Sequence, residues 1–171
     1  MLSKAKIIPL ALVLTGCGGP GSTNGTVMDE RLEVKAAIMN TGYADGVLSL
    51  HLLEVPHERA CELRGKLSDA TEAQQEGPEL IFHVFLPETG AAPLEYVVVS
   101  DQAYRAAQQR SGQVWGSYAT RNAGVRSMTS GTLTLDAFEP GANGHARGSF
   151  LVKFGSDALM GSFDATPCAS K

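Results

Sequence analysis

ARGSFLVKF, residues Ala146–Phe154, alternates without a break. Ala146, Gly148, Phe150, Val152 and Phe154 fall on one side of an extended chain; Arg147, Ser149, Leu151 and Lys153 fall on the other. A strand sorts its side chains this way because successive Cβ atoms point to opposite faces, and a helix, with its longer repeat, cannot. The flanking segments follow the same rule. Thr132–Phe138 sets Leu133, Leu135 and Ala137 against Thr132, Thr134 and Asp136, and Leu159, Gly161, Phe163 and Ala165 share one side before Cys168. The links EPGANG and GSD carry Pro-Gly and Asn-Gly turn signals. The last forty residues therefore predict a three-strand antiparallel meander with one face in a core.

Upstream the same period recurs. Leu32, Val34, Ala36 and Ile38 alternate with Glu33, Lys35 and Ala37, predicting a first strand, and Val47 to Val55 predicts a second. Leu80–Leu86, Leu94–Val99 and Val114–Thr120 read as further strands. Two polar segments interrupt them. Arg64–Pro78 has Ser68 as a helix cap before DATEAQQ, and Ser100–Gly112 is alanine-rich with a terminal glycine, suiting a short surface helix. About eight strands with at most one or two short helices predict an all-β domain, an antiparallel sandwich or, alternatively, a small barrel.

Two strands depart from clean alternation. Opposite Leu48, Leu50 and Leu52 lie Val47, Ser49, His51, Leu53 and Val55; opposite Leu80, Phe82, Val84 and Leu86 lie Ile81, His83 and Phe85. Strands that are apolar on both sides are either covered on both or expose a face that binds something. The cover would come from Arg64–Gly77 or Ser100–Gly112. The binding alternative makes His51, Leu53, Val55, Ile81, His83 and Phe85 a candidate face for a hydrophobic ligand or partner. Two histidines, even if their strands are neighbours, do not complete a zinc site, which takes three or four ligands, so no metal and no cofactor is expected. No Gly-x-Ser-x-Gly elbow surrounds Ser111, Ser117 or Ser162, and no glycine loop precedes a helix to cradle phosphate. The expectation is a protein that is not an enzyme.

The amino-terminal segment has a different character. Lys4 and Lys6 precede Ile7–Leu14, an apolar run far shorter than the roughly 20 residues needed to span a bilayer. It ends in Leu14-Thr15-Gly16-Cys17, the pattern of a secretory signal. This tetrapeptide resembles the lipobox of bacterial lipoproteins, in which the cysteine thiol is acylated and the chain is cut before it. The resemblance implies a signal peptide over 1–16, lipid on Cys17 and attachment to a membrane. Gly18 stands where aspartate would favour inner-membrane retention, which implies the outer membrane. The Gly/Ser/Thr/Asn-rich stretch to Glu30 predicts a flexible tether over 17–30, leaving 31–171 as a single β domain. Without the two leading lysines, 12 basic residues face 18 acidic ones, a balance unsuited to nucleic acid.

With Cys17 used for lipid, Cys61 and Cys168 remain, and outside the cytoplasm they predict a disulfide. GTLTL, GSFLVKF and LMGSFDATPC together resemble the ending of a group of small bacterial secreted proteins and lipoproteins that close on a Gly-Ser/Thr-Phe-Asp-Ala strand followed by a cysteine. That likeness implies an extracytoplasmic β fold and a Cys168 disulfide, and brings no activity with it. The expected role is non-catalytic binding or structural support in the cell envelope. An envelope protein, a glycan or a hydrophobic ligand would be the partner, and a calycin-like carrier of a small hydrophobic molecule is the alternative.

Overall fold

The computed structural model describes residues 19–41, 46–65, 76–87, 93–100, 111–120 and 124–168. Among them, ten strands and one helix run in the order β1 (Gly21–Thr26), β2 (Ala36–Asn40), β3 (Val47–Leu53), α1 (His57–Gly65), β4 (Glu79–Phe85), β5 (Leu94–Val98), β6 (Gln113–Thr120), β7 (Gly124–Ser127), β8 (Ser130–Glu139), β9 (His145–Phe154) and β10 (Asp157–Pro167). The expected meander is β8–β9–β10, paired antiparallel through Leu133↔Phe150 and Phe150↔Gly161.

Two long strands decide the architecture by sharing one edge between two partners. One edge of β10 pairs with β9; the other pairs antiparallel with β1 and then, at Thr166–Pro167, parallel with β2. On β6, one edge pairs with β4; the other pairs parallel with β5 at Gln113–Val114 and antiparallel with β7. These two short parallel seams join the β2–β3–β4–β6 sheet to the β5–β8–β9–β10 sheet. The result is a closed barrel of 8 strands, with β1 and β7 as flanking additions. The all-β expectation holds, and of its two architectures the closed barrel is found rather than the open sandwich.

The barrel interior is one cluster. Leu48, Leu50, Leu52, Leu80, Phe82 and Val84 from one sheet meet Tyr96, Leu133, Leu135, Phe150, Val152 and Phe163 from the other. Phe82 and Phe150 reach across with ring centroids 5.2 Å apart. The repeated tripeptide Gly-Ser-Phe at 148–150 and 161–163 falls in antiparallel register, so Gly148 faces Phe163, Ser149 faces Ser162 and Gly161 faces Phe150. Each phenyl lies across the glycine of the neighbouring strand. A Cβ at Gly161 would stand 2.9 Å from the Phe150 ring and 2.0 Å from the Ser22 carbonyl oxygen.

Three elements depart from the sequence expectation. The stretch 17–30, read as a flexible tether, is from Gly21 to Thr26 a strand on β10, and Val27 beyond it is fully buried. Composition misled because β1 contributes few apolar side chains: backbone hydrogen bonds to β10 hold it. Gly25, at φ +113°, passes so close that a Cβ would lie 2.2 Å from the Ala158 carbonyl oxygen. The first predicted strand is shorter and shifted, with Leu32 buried ahead of β2 rather than within it. Helix α1 follows Pro56 directly, where the missing N–H costs nothing. Its Glu58 and Arg64 sit at the ends that the helix dipole favours for each charge. The predicted helical stretches within 66–75 and 101–110 lie outside the described residues.

Candidate functional site

The candidate binding face is the outer side of β3, β4 and β6. Pairing sets Ser49 opposite His83, His51 opposite Ile81 and Leu53 opposite Glu79, with Trp115 next to His83. The two histidines are therefore diagonal neighbours rather than a facing pair. Helix α1 lies over one end of this face: Ala60, fully buried, packs on Ala36, Ile38 and Leu53, with Val55 and the Cys61–Cys168 disulfide at the margin. The predicted disulfide is present. Cys17 lies outside the described residues.

Beside α1 the face is polar as well as apolar. Glu79, 3% exposed, receives an ion pair from Arg64 of α1 and a hydrogen bond from His51 Nδ1–H at 2.9 Å. Ser49, 2% exposed, is hydrogen-bonded to His83 Nδ1 at 3.0 Å, and the His83 ring stacks on Trp115 with centroids 5.0 Å apart. Burial, aided by the Arg64 charge, lowers the His51 pKa to about 3. Burial, with the charges of His51 and Arg64, lowers that of His83 to about 4. Both rings are neutral at pH 7, and desolvation also brings Arg64 down to about 10. Arg64 therefore neutralises Glu79, while His51 orients the carboxylate as a neutral donor. A second link ties the helix down outside this cluster, where Arg59 holds Glu62 and Glu76.

Each sequence candidate can now be placed. Leu53 is buried against Ala60, His51 is buried, Phe85 is buried at the far end of β4, and Val55, Ile81 and His83 are half-buried. Most of Arg64–Gly77 and Ser100–Gly112, the segments expected to cover this face, lies outside the described residues; among the described residues the Leu53 end is covered by α1, a segment the periodicity did not single out. No group of three His, Cys, Asp or Glu suited to a metal occurs among the described residues. The Ser49–His83 pair has a nucleophile-and-base composition, but the buried hydroxyl has no open approach.

The open face lies on the other sheet and was not singled out from sequence. Residues in direct register form a row across five strands: Val97, Thr132, Leu151, Met160 and Asn24. Leu151 is 45% and Met160 49% exposed, unusual for large apolar side chains in the middle of a sheet. Ser22, Thr23, Asn24, Phe150, Leu151, Met160 and Gly161 line a shallow cleft of about 420 Å³ beside β1. The next row holds hydroxyls: Thr134, Ser149, Ser162 and Ser22, the last two 3.1 Å apart. The available signal was Leu151, an apolar residue on the polar side of its strand. Comparison with protein-family models, with curated proteins and with solved structures finds no match for this chain.

Proposed function

We propose that this protein is an envelope lipoprotein, held to the outer membrane through acylated Cys17, whose barrel is a non-catalytic binding or structural domain that works through its outer surface. The observation that carries the outer-surface reading is the filled interior. Tyr96, Tyr118, Phe82 and Phe163 are all at most 2% exposed and pack among leucines, while the large apolar side chains that water reaches lie outside. Leu14-Thr15-Gly16-Cys17 supports the anchor. The test is mass spectrometry of protein purified from membranes. An amino-terminal peptide beginning at acylated Cys17 is expected, and Cys17→Ala is expected to move the protein out of the membrane fraction. An unmodified thiol at Cys17 sinks the reading.

One observation favours the carrier as a second reading. The Tyr96 and Tyr118 hydroxyls are buried inside the barrel with no hydrogen-bond partner among the described residues, and burial raises both phenol pKa values. Buried polar atoms are normally satisfied, by protein, water or ligand. Solvent extraction of the purified barrel decides between the two. A stoichiometric apolar molecule favours the carrier; an empty extract leaves the outer surface as the working part.

A further inference from the structure

We infer that the Leu151–Met160 face of the barrel lies against the lipid surface to which Cys17 is anchored, an inference that rests on the acylation proposed above. The argument begins with chain length. The Asp164 N–H donates to the Pro20 carbonyl at 2.9 Å, so the backbone is already fixed to β10 at Pro20. Only Gly18 and Gly19 separate it from Cys17. Three residue steps reach at most about 11 Å. A barrel attached so closely cannot stand off from the bilayer, and some surface near β1 must meet it.

Exposed apolar area selects which surface. Asn24 of β1 is in register with Met160, which is in register with Leu151, so the exposed apolar pair lies beside the strand that carries the anchor. On β9 the outward side chains are Arg147, Ser149, Leu151 and Lys153; exposed Asp164 of β10 stands opposite Arg147, and Asp136 and Glu95 are exposed on β8 and β5, so Lys153, opposite Ala158 and Ser130, is the cation that stands beside Leu151 with no acid in register. Leu151 beside Lys153 suits a bilayer interface, where a lysine reaches headgroup phosphates while its apolar neighbour enters the acyl boundary. The contact need not hold free protein, because the anchor makes it intramolecular at an effective concentration on the order of millimolar.

The experiment uses acylated full-length mature protein in vesicles of phosphatidylethanolamine and phosphatidylglycerol with brominated acyl chains. Trp115, on the covered side, is the internal control. Met160→Trp, or Leu151→Trp should the first variant unfold, is expected to lose at least half of its added emission to the bromines. Trp115 and Glu62→Trp are expected to lose little. Inserting twenty Gly/Ser residues between Gly18 and Gly19 is expected to weaken quenching at position 160. Equal quenching at 160 and 62, or none at 160, overturns the inference. So does concentration-dependent dimerisation of anchor-free Cys17→Ala protein that is lost in Met160→Glu, because a second copy would then cover the face. Coupling a maleimide lipid to Cys17, the thiol left over from the disulfide, reads the face separately from natural acylation. Mass spectrometry alone reports failure of the anchor.

Discussion

The two halves of the barrel share an interior and differ outside. In β8, β9 and β10 the inward side chains are buried and most outward ones meet water, as β9 shows residue by residue. In β3 every residue from Val47 to Leu53 is buried. One end of the outer face of that half is covered by a nine-residue helix, clamped by the Cys61–Cys168 disulfide and the Arg64–Glu79 pair. A helix so short has little stability alone, so the closed half depends on its clamps and the open half on its ladder. The contrast can be broken at each of those points.

Removing the disulfide should have the largest effect. Cys61 and Cys168 are 107 residues apart, and the chain-entropy model assigns a loop of about that length roughly 4–5 kcal/mol. Denaturant unfolding of Cys61→Ser/Cys168→Ser should show that loss. Hydrogen exchange should quicken first at Ile38 and Leu53, under α1, while β9 and β10 stay protected. Next is Arg64→Ala, which strands the Glu79 carboxylate in the interior beside neutral His51, at an expected cost of about 3–5 kcal/mol. Loss of the Arg64 charge should also raise the His51 pKa, measurable by NMR titration. On the open half, Gly161→Ala should cost about 1–3 kcal/mol, because its Cβ meets both the Phe150 ring and the Ser22 carbonyl.

Acid should weaken the closed half in particular. His51 and His83 titrate at about 3 and 4 when folded and near 6.5 when unfolded. The unfolded chain therefore binds their protons first. Stability is fully present above pH 6.5 and falls as pH drops toward 4, by up to about 1.4 kcal/mol per pH unit for each ring. Unfolding free energies measured from pH 7 to 4 should show this slope, and His51→Asn should remove the share of one histidine. A flat profile would mean that the rings are not buried neutral.

How much of this was legible follows the same division. Residues 132–165 declared strands, faces and turns because each strand has one wet side, and alternation records exactly that difference in environment. The doubly apolar β3 and β4 announced an outer face unlike the open one but not the helix at its end: α1 buries Ala60 and Leu63, with little apolar periodicity to read. Strand β1 was illegible for a related reason, since GSTNGT pairs through its backbone and leaves its side chains largely in solvent. The sequence also marked His51 and His83 as the polar members of an apolar face. Their partners Glu79 and Arg64 depend on register and on the helix, neither of which a period reveals.

The smallest expected effect sharpens the comparison most. Leu151→Ser and Met160→Ser change large apolar side chains in the middle of a sheet, a substitution that in β3 or β4 would remove core and cost several kcal/mol. Both positions are already about half exposed, in register with each other on the open face. Little apolar area returns to water on unfolding, so each variant should stay within about 0.5 kcal/mol of the parent. Leu50→Ser, buried on the shared interior, supplies the contrast in the same denaturant titration. If Leu151→Ser proved as costly as Leu50→Ser, the open face would have to be covered in the free protein, and the two halves would differ only in which part of the chain covers them.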